Sequence, residues 1–252
     1  MSGHSKWSTI KRKKAKTDLE RGKVFTKLIR EITVAARLGG GDEEANPRLR
    51  TAIEAAKAAS MPSSNIERAI KKGTGELPGV NYEEMVFEGY GPGGVAIMVE
   101  ATTDNRNRTV AEVRHIFERH NGNLGENGSV AWMFQQKGLI TVPRDSLQED
   151  DLLAAVLDAG AEDIQTEDDA FEITTAVEDL ERVKQALKEN QIQYTQAELT
   201  RVPQSTVKVD GKSAQQLLRL MDELEECDDV QRVFSNFDIE ETEIERYYGE
   251  SA

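Results

Sequence analysis

The spacing of the apolar residues changes near residue 80, and this change constrains the fold more than any other feature. Over residues 18–73 apolar side chains recur every three or four positions, as in Phe25, Leu28, Ile29 and Ile32, which is the period of an amphipathic helix. In the segment GGVAIMVEA the period becomes two, which is typical of a strand. The sequence therefore predicts helices first and a layered arrangement of strands and helices after them.

Local signals divide the first part of the chain into helices. Three glycines end the first helix after residue 38, and Asn46-Pro47 begins the second as a cap followed by a first-turn proline. Ser64 and Glu67 form a capping box that predicts a short helix ending at Lys72, before Gly73. We therefore predict that residues 1–80 form a basic arm and a helical bundle.

The sequence after residue 80 predicts an α+β fold in which one α/β domain is inserted into another. Up to residue 134 the expected order is strand, strand, helix and strand, with Thr109 beginning the helix and SVAWMF forming the last strand. From Leu139 the pattern is βαββαβ, which is ferredoxin-like. We predict a discontinuous ferredoxin-like domain of residues 81–137 plus 204–239, an inserted one of 138–203, and a loosely held acidic tail of 240–252.

Charge is separated along the chain. The net charge is −14, yet residues 1–80 carry 17 basic and 9 acidic side chains, or +8, and residues 81–252 carry 15 and 37, or −22. Folding alone does not require this separation, whereas a phosphate-binding end does, because each neutralised phosphate releases counterions. We interpret residues 1–80 as the end that binds nucleic acid, with a solvated tail as the alternative.

The first set of candidate binding residues lies in the arm and first helix. Trp7 lies among these cations, so it either stacks on an unpaired base or docks the arm on the bundle. The candidates are Lys6, Trp7, Lys11, Arg12, Lys13, Lys14, Lys16, Arg21, Lys23, Lys27 and Arg30.

A second candidate site is the loop TTDNRNRTV. Asn105, Arg106 and Arg108 precede a predicted helix in an otherwise acidic half of the chain. Helix N-termini attract phosphate, and arginines there strengthen the attraction. Local capping and surface solubility are the alternative explanation.

The residues needed for other functions are missing from the sequence. The motif GYGPGG matches a dinucleotide fingerprint, but a strand follows it, so we predict a hairpin with a type II turn at Pro92-Gly93. The three histidines and Cys227 do not form a metal-binding pattern, and we find no catalytic group. We expect a cytoplasmic protein that is not an enzyme and has no cofactor, metal, membrane span or small-molecule substrate.

The motifs GHSKWSTIKRKKAKTD, RGKVFTKLIREI, TDNRNRT and GSVAWMF resemble those of the YebC family over essentially the whole chain. The resemblance implies a helical first domain and two α/β domains, one inserted in the other. It adds His4 to the candidate residues and implies a regulator of gene expression. Members of the family are described as DNA-binding transcriptional regulators, a mitochondrial member is a translational activator, and bacterial members are linked to ribosomes stalled on proline-rich sequences.

Two functions remain open at this stage. In the first, the protein is a translation factor that binds the ribosome and its ribosomal RNA through the basic end. In the second, it is a transcriptional regulator that binds duplex DNA through a helix-turn-helix, with Arg68, Lys71 and Lys72 facing the groove. We favour the first, because the acidic body would be repelled by long duplex DNA.

Overall fold

The computed structural model describes Trp7 and residues 18–144, 147–167 and 170–250, except the side chains of residues 18–21 and Glu250. Within these residues there are eight helices and ten strands. The helices are α1 (Asp18–Gly39), α2 (Pro47–Ala58), α3 (Ser63–Thr74), α4 (Arg106–Arg119), α5 (Glu149–Val156), α6 (Leu180–Glu189), α7 (Gly211–Glu226) and α8 (Glu241–Glu250). The strands are β1 (Glu83–Gly91), β2 (Val95–Thr103), β3 (Asn123–Leu124), β4 (Phe134–Pro143), β5 (Ala161–Thr166), β6 (Ala170–Thr175), β7 (Gln196–Pro203), β8 (Val207–Lys208), β9 (Val230–Ser235) and β10 (Phe237–Asp238).

The chain forms two compact units, and the predicted α+β class is confirmed. The first unit contains residues 1–133 and 203–252, and the second contains residues 134–202. The second unit begins four residues before the predicted insertion of residues 138–203 and ends one residue before its end. Among the described residues, no helix is both long enough and apolar enough to cross a membrane.

Helices α1, α2 and α3 pack around a core that includes Ile32, Leu49, Ile53 and Ile66. The predicted cap of α2 is present, because Asn46 Oδ1 accepts the Leu49 N–H at 3.1 Å. The Asn46 amide also donates to the carbonyls of Ala35 and Gly40, both at 2.9 Å, which joins the end of α1 to the start of α2.

Helix α3 differs from its predicted bounds. It begins at Ser63, after Pro62, and no side chain caps it. It continues past Gly73, where the helix lies so close to α1 that a Cβ would approach the Thr33 carbonyl oxygen to 2.5 Å. The helix ends before Gly75, whose φ of +85° is the left-handed conformation common after a helix. Gly73 therefore permits close packing rather than ending the helix.

The first unit contains an antiparallel sheet in the order β3–β1–β2–β9. Its central hairpin pairs Gly91 with Val95, and Gly93 has φ +78° and ψ +6°, so the predicted type II turn is confirmed. Helices α4 and α7 contribute Val113, Phe117 and Leu217 to the core on this sheet. Strands β8 and β10 form a separate parallel pair.

The second unit has the predicted βαββαβ order, and its strands lie in the order β5–β6–β4–β7. Its pairs β4–β6 and β5–β6 are antiparallel. Ile140, Phe171, Ile173, Val183 and Leu187 lie in a separate core between this sheet and helices α5 and α6. Each unit thus buries its own apolar cluster.

The segment SVAWMF does not form the predicted strand. Residues Ala131–Met133 form one turn of 3₁₀ helix, and the short strand that pairs with β1 is β3. The Glu88 carboxylate accepts the N–H groups of Gly128, Val130 and Ala131 at 2.7–2.8 Å. The Glu88 side chain thus accepts hydrogen bonds from backbone N–H groups that a neighbouring strand would accept in a sheet.

The segment from Glu241 to Gly249 is not loosely held, so the prediction of a loose acidic tail is wrong for these residues. It forms α8, in which Ile244 is fully buried and Tyr247 and Tyr248 pack against the core of the first unit. The spacing of these three residues is that of one helix face. The acidic residues around them, Glu240, Glu241, Glu243, Glu245 and Glu250, obscured this pattern in the sequence.

Candidate nucleic-acid interface

The tryptophan of the arm lies in the core of the first unit. Trp7 is fully buried, its ring centroid lies 6.4 Å from that of Phe237 in an edge-to-face contact, and its Nε1 donates to Tyr248 Oη at 2.6 Å. Tyr248 in turn donates to Asp222 Oδ1 at 2.7 Å. A buried indole presents no face to a base, so the stacking role is not supported. Trp7 docks on the α/β core, not on the bundle.

The other arm candidates lie outside the described residues, or their side chains do. The binding roles of this group therefore stay predictions. The group consists of His4, Lys6, Lys11, Arg12, Lys13, Lys14, Lys16 and the side chain of Arg21.

The predicted cations of α1 divide into two kinds. Lys27 donates to the Glu225 carbonyl at 2.8 Å, in the last turn of α7, where the helix dipole favours a positive charge. Arg30 donates to the Thr102 carbonyl at 3.1 Å. Lys23 is partly exposed and makes no ion pair or hydrogen bond with a described residue. Lys27 and Arg30 thus attach α1 to the α/β part, and their predicted role in binding nucleic acid stays a prediction.

The two candidate sites meet at a buried carboxylate that the sequence did not single out. Asp229 is 2% exposed. Its Oδ1 accepts from Arg30 at 2.9 Å, and its Oδ2 accepts from Arg108 at 2.7 Å. Oδ2 also accepts from the hydroxyls of Thr109 at 2.6 Å and Thr103 at 3.1 Å. Asp229 therefore joins the helical bundle to the predicted binding loop.

This carboxylate is held in its charged form. Burial by itself raises the pKa of Asp229, but hydrogen bonds from Thr109, Arg108 and Thr103 and the charge of Arg30 outweigh it and hold the pKa below its ordinary value. The hydrogen bond from Arg108 to Asp229 in turn raises the pKa of Arg108. The sequence contains no signal for this role, because Asp229 is one of several acids in ELEECDDV.

The loop before α4 separates the two predicted arginines. Asn105 Oδ1 accepts the Arg108 N–H at 3.2 Å, so α4 begins at Arg106 and not at the predicted Thr109. Arg108 is bound to Asp229 and to Asp104. Arg106 is exposed and makes no ion pair or hydrogen bond with a described residue. Of the two arginines, Arg106 is the one available to a phosphate.

A further basic surface lies on α3. Arg68, Lys71 and Lys72 occupy positions three and four residues apart, so they share one helix face. All three are exposed, and their side chains make no ion pair or hydrogen bond with a described residue. Among the predicted binding cations that the structure describes, Lys23, Arg106 and these three residues of α3 are accessible and make no ion pair or hydrogen bond with a described residue.

Among the described residues, no group of three or more His, Cys, Asp and Glu side chains could hold a metal ion. Cys227 is buried, and burial raises the pKa of its thiol to about 11. The thiol is therefore protonated near neutral pH, when it is a poor nucleophile.

Replacing the two loop arginines separately should distinguish a binding role from a structural one. We expect Arg106→Ala to change the free energy of unfolding by no more than about 0.5 kcal/mol, as for other exposed side chains, and to weaken nucleic-acid binding. Arg108→Ala should lower the melting temperature, because it removes a partner of buried Asp229. Thermal melts and a binding titration of both variants test this. Equal melting temperatures would show that Arg108 does not hold the loop.

The stability of the first unit should depend on pH through Asp229. Its depressed pKa stabilises the fold above the unfolded-state value of about 3.9, and this contribution is lost as pH falls through the folded-state value. We expect Asp229→Asn to cost about 2–4 kcal/mol at pH 7. The gap to wild type should begin to narrow below about pH 4 and narrow further as pH falls through the folded-state value. Denaturant unfolding at both pH values, with exposed Asp228→Asn as control, measures this gap, and a gap independent of pH would contradict it.

These features define a class of protein in which a basic helical domain precedes an α/β domain, and a second α/β domain is inserted into the first. The chain belongs to the TACO1/YebC family. The family's N-terminal domain matches residues 5–76, and its second and third domains match residues 82–237.

Relatives of known sequence match nearly the whole chain. A protein of Desulfosudis oleivorans is 61% identical over 94% of this chain and 96% of its own length. One from Syntrophobacter fumaroxidans is 60% identical over 98% and 99%, respectively. Both are named probable transcriptional regulatory proteins. The crystal structure of a conserved hypothetical protein from Aquifex aeolicus has a TM-score of 0.84 and 54% identity, covering 90% of this chain and 94% of that one.

Proposed function

We propose that this protein is a non-enzymatic, nucleic-acid-binding regulator of gene expression in the cytoplasm. It acts as a translation factor that binds ribosomal RNA on the ribosome through its basic N-terminal region and relieves stalling on proline-rich sequences. The observation that carries the proposal is the charge separation, +8 in residues 1–80 and −22 in residues 81–252. A polyanion is attracted to the first region and repelled by the second.

The structure supports this proposal with accessible cations. Arg68, Lys71 and Lys72 face solvent on α3, and Arg106 does so at the start of α4. Contacts of this kind with phosphate position a protein without reading base sequence. They suit a folded RNA whose shape admits a small basic domain.

The acidic body favours ribosomal RNA over long duplex DNA. Within a Debye length, about 8 Å at physiological salt, the acidic residues repel phosphates that continue past the basic end. A duplex runs straight on in both directions, whereas folded RNA can end or turn away.

A second candidate is a DNA-binding transcriptional regulator. Only the four residues 59–62 separate α2 from α3, which is the turn length of a helix-turn-helix, and α3 has the exposed basic face that such a motif needs. Helix α3 has 12 residues and is longer than the short helix predicted from the capping box at Ser64. The names of the relatives given above agree with this candidate.

Binding titrations against ribosomes and duplex DNA at matched salt decide between the candidates. We expect ribosome binding to weaken steeply as salt rises, and DNA binding to be weaker and nearly indifferent to sequence. Two substitutions form a matched pair. Arg68→Gln should weaken ribosome binding, whereas Lys212→Gln, which removes the same charge from an exposed residue of α7, should not. Preference for one operator over scrambled DNA by about a thousandfold or more would support the transcriptional regulator instead.

A further inference from the structure

Trp132 is the most exposed large apolar side chain among the residues described, with 67% of its surface accessible. The other tryptophan, Trp7, is fully buried. Leaving an indole in water forfeits the free energy that burial of so large an apolar surface would contribute. Exposed aromatic residues of this kind are enriched at binding sites.

The loop that carries Trp132 is held rigidly. The buried Glu88 carboxylate accepts three backbone N–H groups from it, those of Gly128, Val130 and Ala131. Tyr90 Oη donates to the Ser129 carbonyl at 3.0 Å, and Trp132 Nε1 donates to the same oxygen at 3.1 Å. These contacts fix both the backbone and the orientation of the indole. The exposed ring is therefore preorganised, so that little conformational entropy is lost when a ligand binds.

The charges near this loop favour a cationic ligand. Residues 120–133 contain one acidic side chain, that of exposed Glu126, and neither lysine nor arginine. Ser129 N–H donates to the Glu126 carbonyl at 3.1 Å, which places Glu126 in the turn that precedes Trp132. Residues 81–133 and 203–252 together carry 9 basic and 21 acidic side chains, or −12. A phosphate chain would find no cation in this loop.

We propose that Trp132 and Glu126 form a docking site for a basic polypeptide segment. An arginine guanidinium or lysine ammonium packs over the indole face through a cation–π contact, for which tryptophan is the best aromatic partner. Glu126 and the net negative charge of residues 81–133 and 203–252 attract the remaining positive charges of the segment. This site is acidic, whereas residues 1–80 are basic, and the proposal does not depend on the proposed function.

A short synthetic peptide of alternating arginine and glycine tests the site. The control is the same peptide with neutral citrulline in place of each arginine. The readout is the NMR signal of each indole N–H, in which buried Trp7 serves as an internal reference. We expect the arginine peptide to shift the Trp132 signal but not the Trp7 signal. Trp132→Ala should weaken binding about threefold to tenfold, and Trp132→Phe should weaken it less.

Several outcomes would overturn the proposal. Equal binding of the citrulline peptide, or unchanged affinity in Trp132→Ala, would show that the attraction is not a cation–π contact at this residue. Tighter binding of unpaired oligouridine at matched salt, with a shift of the Trp132 signal, would make the site a base-stacking platform instead. Glu126→Gln should weaken peptide binding without lowering the melting temperature, because Glu126 is exposed. Unchanged affinity in this variant would remove Glu126 from the site.

Discussion

Trp7→Ala is expected to lower the free energy of unfolding by about 3–5 kcal/mol, the usual cost of truncating a buried tryptophan. The indole is fully buried against Phe237, and its hydrogen bond to Tyr248 would also be lost. Denaturant unfolding measures the change. Trp132→Ala is the matched control, since it makes the same substitution at an exposed site and should cost no more than about 0.5 kcal/mol. Equal stabilities would show that Trp7 does not belong to the core.

The burial of Trp7 changes what a truncation of the arm would mean. Residues 2–17 contain only Trp7 and Ile10 as sizeable apolar side chains, so the sequence alone predicts that deleting residues 1–17 leaves the fold intact. The deletion also removes Trp7, so we expect it to destabilise the first unit. Loss of nucleic-acid binding in such a truncation would not separate charge from folding. Substitutions that spare Trp7 are the cleaner test.

The second large effect is expected when the basic run of the arm is neutralised. Replacing Lys11, Arg12, Lys13, Lys14 and Lys16 by glutamine retains Trp7 but removes five positive charges. If each charge meets one phosphate, the slope of log affinity against log salt should fall by about four, and affinity at low salt should fall about a hundredfold or more. Titrations of wild type and variant against ribosomal RNA at several salt concentrations measure both.

Single substitutions provide the controls for this prediction. Lys11→Gln alone should reduce the salt slope by about one, and Lys212→Gln, on the acidic half, should leave it unchanged. A five-fold variant with the slope of the wild type would show that the arm does not contact phosphate. Thermal melts of all three variants should agree with wild type, because none of them removes an apolar side chain.

Local features of the fold could be predicted from the sequence. The cap at Asn46, the type II turn at Gly93 and the βαββαβ pattern depend on residues that are close together in the chain, so composition and spacing are sufficient. The start of α4 was displaced by three residues because Asn105 competes with Thr109 as a cap. The fold class, the helices of the bundle and the βαββαβ order of the second unit could therefore be predicted from the sequence, whereas β3 and α8 could not.

Long-range contacts could not be predicted in this way. Trp7 and Tyr248 are 241 positions apart, and Arg30 and Asp229 are 199 apart, yet each pair is joined by a hydrogen bond. In the sequence Arg30 and Arg108 are cations like any others, and only the fold shows that both are bound to one carboxylate. The candidate residues therefore include both accessible cations, such as Arg106, and cations that hold parts of the fold together.

Translation of a reporter with a proline-rich segment, in cells lacking this protein, tests the central claim most directly. Wild-type protein and the variant with five glutamines in the arm are supplied at equal abundance, and a reporter without the proline segment serves as the reference. We predict that the wild type restores output of the proline-rich reporter and that the variant does not. Full restoration by the variant, or no effect of the wild type, would contradict the claim that the basic N-terminal region acts on the ribosome.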